Sequence, residues 1–97
     1  MPAYLIVDCE VTDADRYEVY KQLAPPAIAK YGGRYLVRGG DVALVEGDWR
    51  PSRVVVLEFP DMETAKRFYV SPEYTAARAK RAGAARMNIV LVPGVSA

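Results

Sequence analysis

A chain of 97 residues, 52% apolar and 26% charged, has the size of one domain and lacks the composition of a disordered segment. Thirteen basic and twelve acidic residues leave a net charge of +1, so no long-range field draws it toward nucleic acid or an anionic membrane. The single cysteine, Cys9, excludes an internal disulfide and paired-cysteine metal or redox motifs, and the absence of histidine removes Ser-His-Asp and Cys-His catalysis and most zinc sites.

No cofactor or metal is expected from what remains. The first eleven residues carry no basic side chain and turn acidic at Asp8, unlike a secretory signal. No apolar run approaches the roughly 20 residues that a spanning helix needs, so a cytoplasmic protein is expected.

Residues 3–11 alternate, with Leu5, Val7 and Cys9 on one face and Tyr4, Ile6, Asp8 and Glu10 on the other, which predicts a strand. Thr12 is the expected N-cap of a following helix, with Asp13 and Asp15 in its first turn. Tyr17, Tyr20, Ala24, Ala27, Ile28 and Tyr31 recur at helical spacing. Pro25-Pro26 interrupts them, and an interior proline costs about 3 kcal/mol or more, so a break is expected near Ala24 with a restart at Pro26. Gly32-Gly33 ends this helix.

Residues 34–38 predict the next strand, and Gly39-Gly40 a tight hairpin that returns residues 41–46 as its partner. Residues 47–51 form a loop, and residues 53–59 the most strand-like run, stopped by Pro60. Asp61 caps a second helix with Met62, Ala65, Phe68 and Tyr69 on one face. Ser71, Pro72 and Glu73 start a third, running to about Ala82 with Gly83 as its stop. Residues 87–92 predict the last strand, and residues 95–97 are expected to fray.

This order is that of an α+β, ferredoxin-like βαββαβ domain over residues 1–97 with an added hairpin arm. The topology implies an antiparallel sheet, ordered last, first, third, second, with the helices on one face. Leu5, Val7, Cys9, Val55, Leu57, Phe59, Ile89 and Leu91 would face the helices. Tyr4, Ile6, Leu36, Val54, Val56, Val90 and Val92 would then form an uncovered apolar face. So large a patch is rare on a soluble monomer, and a second copy packed sheet to sheet is the expected cover. Asp8, Glu10, Arg34, Arg38 and Glu58 are placed on that same face, as an ion-pair cluster or as the polar end of a ligand pocket.

Four ordered blocks, YGGRYLVRGG (31–40), EGDW (46–49), RVVVLEFP (53–60) and SPEY (71–74), together resemble the domain-of-unknown-function-1330 family over nearly the whole chain. The resemblance implies a ferredoxin-like fold assembled as a dimeric α/β barrel, typically bacterial, and no established activity. Arg86 departs from the acidic residue expected after the alanines of the third helix.

Among residues that could carry chemistry, Trp49 could stack on a planar ligand or anchor its loop, and Arg53 could clamp a carboxylate or pair with Asp48. Ser71 and Tyr74 are further candidate substrate contacts, although Ser71 reads most simply as an N-cap and Tyr74 with Arg78 as packing on one helical face. Tyr17 and Tyr20 read as core and rim, and Cys9 as a small buried hydrophobe. The glycine pairs match no phosphate-binding loop, and residues 53–60 lack the stacking aromatics of an RNA-binding sheet.

Two functions follow. One is a small-molecule binder or cofactor-free enzyme for a small anionic or aromatic substrate, with a pocket between the sheet and the Trp49 loop. Arg38, Trp49, Arg53 and Glu58 would line it, and Glu58 or Asp8, with a raised pKa, would transfer the proton. The other is a non-catalytic homodimeric module whose charges only set the interface.

Overall fold

The structure, a computed structural model, describes residues 1–95. Ser96 and Ala97, part of the segment expected to fray, lie outside the described residues. Seven elements follow in order: β1 (Ala3–Val11), α1 (Ala14–Lys30), β2 (Arg34–Arg38), β3 (Arg53–Phe59), α2 (Met62–Val70), α3 (Pro72–Arg81) and β4 (Ala85–Pro93). The strands form one antiparallel sheet in the expected order, β2-β3-β1-β4. No helix of the described residues is long and apolar enough to cross a membrane.

Alternation along β1 and β3 buries Leu5, Val7, Cys9, Leu57 and Phe59 against Tyr17, Ala24, Ala27, Ile28, Phe68 and Tyr74 of the helices. Phe68 is fully buried, with ring centroids 4.9 Å from Phe59 and 4.4 Å from Tyr74. The opposite face stays open: Val90 is 55% and Leu36 45% exposed.

Local differences from the expectations have physical reasons. Asp13, not Thr12, caps α1: its carboxylate accepts from the Arg16 N–H at 3.2 Å, while the Thr12 N–H donates to the Ala84 carbonyl at 2.8 Å. Helix α1 runs unbroken through Pro25 and Pro26. The carbonyls that lose a donor belong to Lys21 and Gln22, on exposed residues open to solvent, while buried Ala24, Ala27 and Ile28 hold both halves to the core. Strand β4 extends beyond the predicted 87–92 at both ends because β1 offers partners from Ala3 to Val11.

Residues 41–46 form no strand. Gly39 (φ 86°) and Gly40 (φ 121°) carry the chain off the sheet edge, and Val45 ends 94% exposed. Strand β2 also bulges at Leu36: Tyr35 lies opposite Leu57, but Val37 lies opposite Val56. The extra residue shifts the alternation, so Arg38, opposite Val55, joins Tyr35 on the helix side instead of the open face.

Gly33 packs where a Cβ would fall 2.6 Å from Phe59 Cε1 and 2.8 Å from Ile28 Cγ2, both buried. Gly33→Ala should therefore cost about 1–3 kcal/mol as an overpacked core. A chemical-denaturation midpoint unchanged from wild type would contradict this packing.

Candidate functional site

Between the helix side of the sheet and α1 lies a cavity of about 70 Å³. Its floor is β1 and β3, with Val7, Cys9, Val55 and Leu57; α1 contributes Tyr17, Tyr20 and Lys21 along successive turns, and α3 contributes Tyr74. The bulge in β2 turns Arg38 into this space, and Arg53 enters it from the position opposite Cys9. Room for a water needs only about 10–15 Å³, so this space accepts several waters or a small anion. Lys21 and Arg38 of its lining are exposed, so the cavity meets solvent there.

The chemistry of the lining is one-sided. Three cations, Lys21, Arg38 and Arg53, and four phenols, Tyr17, Tyr20, Tyr35 and Tyr74, line the cavity, with no carboxylate among the described residues. The Arg38 guanidinium stacks 4.3 Å from the Tyr35 ring centre. Arg53 donates through Nη2 to the Arg38 carbonyl at a long 3.4 Å, and its shielded Nε has no partner among the described residues. The hydroxyls of Tyr20 and Tyr74 lie 2.7 Å apart. One such bond uses one of their two protons and leaves the other to donate.

Burial, and then the neighbouring Cys9 thiol 3.6 Å away, pushes the Tyr17 phenol well above its ordinary value. Burial, and then the adjoining Tyr74, does the same to Tyr20, and burial raises Tyr35. These phenols stay protonated at neutral pH. They are donors, not bases, and with the cations they favour a negatively charged oxygen.

The candidates read from the sequence are divided between the two faces of the sheet. Arg38, Arg53 and Tyr74 meet in the cavity, whereas Asp8, Glu58 and Trp49 lie on the open face. Trp49 donates from Nε1 to Asp8 Oδ2 at 3.3 Å and walls no part of the cavity. Arg53 faces the cavity and forms no ion pair with Asp48 among the described residues. The Ser71 hydroxyl donates to the Phe68 carbonyl at 2.6 Å and accepts from the Tyr74 N–H at 3.2 Å, so it joins α2 to α3 and caps the latter.

Glu58 accepts from Arg34 Nε at 2.7 Å, and that bond holds its carboxyl below the ordinary value, opposite to the raised pKa expected of a proton-transfer group. Stability contributed by this exposed pair is present at neutral pH and is lost as pH falls through the lowered pKa. Glu58→Gln should accordingly remove part of the acid-side slope in a melting-temperature profile; an unchanged slope would show that the pair contributes nothing. Arg86 pairs with Glu10 on the same face. No group of three or more potential metal ligands occurs among the described residues.

Tyr17, Tyr20, Lys21 and Tyr35 were not read as cavity residues from the sequence. The signal available was the row of phenols on the buried stripe of α1, since a buried hydroxyl needs a partner.

The family model described as Domain of unknown function (DUF1330) matches residues 2–95. The chain belongs to that family. The DUF1330 chain is also similar in fold to solved structures. A Rhodopseudomonas palustris protein of unknown function superposes with a TM-score of 0.76 at 17% identity, covering 99% of this chain and 84% of the other. A dimeric ferredoxin-like protein of unknown function from Jannaschia sp. CCS1 gives 0.73 at 14% identity, covering 97% and 100%. SnoaB, a cofactor-independent oxygenase from Streptomyces nogalater, gives 0.61 at 13% identity, covering 99% and 95%. At these identities the likeness is one of fold alone. No curated protein matches the chain.

Proposed function

We propose that this DUF1330 protein is a homodimer that binds a small planar carboxylate, or another small organic anion, in the cavity between its sheet and α1. The observation that carries the reading is the donor surplus: three cations and four phenols line the cavity with no carboxylate in its wall. Only Lys21 of the three pairs with a carboxylate among the described residues (Glu18, at 3.5 Å), and Arg53 Nε has no partner among the described residues. A shielded donor left unmatched is costly, so an anion that reaches Arg53 Nε gains a charge-assisted bond there. This reading takes the cavity on the helix side of the sheet rather than the hollow on the open face, which Asp8 and Trp49 line with Ile6, Asn88 and Val90 where a second protomer would pack. Glu58, held low by Arg34, is not poised to take part as a raised-pKa group.

Isothermal titration with benzoate tests the binding reading. Saturable binding supports it, and no heat with no change in melting temperature overturns it in favour of a homodimeric module without a ligand. The small size of the cavity is the observation on the side of that second reading. Because SnoaB shares the fold and is a cofactor-independent oxygenase, ligands that bind should next be assayed for oxygen uptake.

The homodimer rests on the open face and on the dimeric description of the Jannaschia neighbour. Ile6, Val54, Val56 and Val90 centre that face, and each apolar side chain gains roughly 1.5–3 kcal/mol on full burial. Ile6→Asp would place a carboxylate from each protomer in a two-fold interface and should convert dimer to monomer in sedimentation velocity. A dimer that persists unchanged excludes this face.

A further inference from the structure

Residues 39–52 leave the sheet after Arg38 and return at Arg53, so the two guanidinium groups of the cavity are the feet of one arm. We propose that the contact between Trp49 and Asp8, on the opposite side of the sheet, positions Arg38 and Arg53 for the anion, an inference that rests on the cavity reading above.

The feet are tied to each other. The Gly39 N–H donates to the Val54 carbonyl at 3.0 Å, Arg53 donates to the Arg38 carbonyl, and the Arg53 side chain lies so close that a Cβ on Gly39 would fall 2.8 Å from its Nε. The far end of the arm is tied as well. Trp49 reaches Asp8, which lies opposite Val54 in the β1–β3 register, while the next β1 residue, Cys9, lies opposite Arg53. Consecutive strand residues point to opposite faces. The indole's anchor and the strand partner of Arg53 are therefore adjacent β1 residues on opposite faces of the sheet. Pro51 stiffens the short path between them by restricting its own φ and the residue before it. The middle of the arm has little else to hold it, with Val45 almost fully exposed and side-chain space around Gly40 and Gly47 empty.

Trp49 and Asp8 touch no part of the cavity, so they act as positioning residues. Releasing the indole frees the arm and lets both cations sample orientations that do not converge. The same brace lies on the face assigned to the second protomer, so binding in the cavity and packing on that face would share one element and be reciprocally coupled.

Trp49 is the sole tryptophan, so its emission reports the arm directly. In Asp8→Ala, benzoate affinity should fall about tenfold, as for loss of one well-placed charge-assisted bond, with the melting temperature little changed. Asp8→Asn keeps an acceptor oxygen and should restore affinity, which a purely structural role would not require. Acrylamide quenching of Trp49 should rise in Asp8→Ala and, without any ligand, in Arg53→Gln at the arm's foot. Wild-type benzoate affinity in Asp8→Ala, or wild-type quenching in Arg53→Gln, overturns the inference. If the wild type binds no benzoate, the anion reading fails, and the quenching of Arg53→Gln alone decides whether tip and foot are coupled.

Discussion

Arg53→Ala should weaken benzoate binding by roughly thirtyfold or more, the equivalent of losing about 2 kcal/mol of charge-assisted hydrogen bonding. The guanidinium is the cavity's only fork with a shielded nitrogen left unpartnered among the described residues, so an anion gains most there. No carboxylate is stranded by its removal, because Arg53 forms no ion pair among the described residues. The variant should therefore fold with close to the wild-type melting temperature, unlike one that breaks a buried ion pair. Arg53→Lys keeps the charge without the planar fork and should fall between the two. Calorimetric titration of the three proteins checks the order; equal affinities would place the anion elsewhere.

Phe68→Ala should be the most damaging single substitution for stability, at about 3–5 kcal/mol, which is a large share of the roughly 5–15 kcal/mol that holds a domain folded. The side chain is fully buried and is the ring on which Phe59, Tyr74 and Tyr31 converge, with centroids 4.9, 4.4 and 6.2 Å away. Helix α2 reaches the sheet largely through this residue and Ala65, both buried completely. Urea unfolding monitored by circular dichroism gives the cost. Phe68→Leu refills part of the volume and should recover part of it, while a loss below about 1 kcal/mol in the alanine variant would mean the core collapses around the cavity.

Much of the architecture was legible because its causes are local. Period-two alternation in β1 and β3 places Leu5, Val7, Cys9, Leu57 and Phe59 on one face from the residue order alone. Asp61 and Ser71 announce the starts of α2 and α3, because a side-chain acceptor three residues before a free N–H needs no tertiary partner. The order of elements then implies the antiparallel sheet, and the composition of the open face points to a second copy.

The candidate cavity was not legible, because its placement turns on pairing between distant strands. One extra residue at Leu36 reverses the face of every side chain after it in β2, and that bulge is a feature of the β2–β3 register, invisible to alternation within β2. Arg38 was therefore grouped with Glu58 on the open face when it lies with Arg53 and the tyrosines under the helices. The same cause explains α1, where local propensity breaks at Pro25-Pro26 but buried Ala24, Ala27 and Ile28 carry the helix across. The sequence by itself determined the elements, their caps and the two faces of the central strands. Only the tertiary structure decided which charges share a cavity, because a register shift or a packed helix draws its free energy from residues far away in the chain.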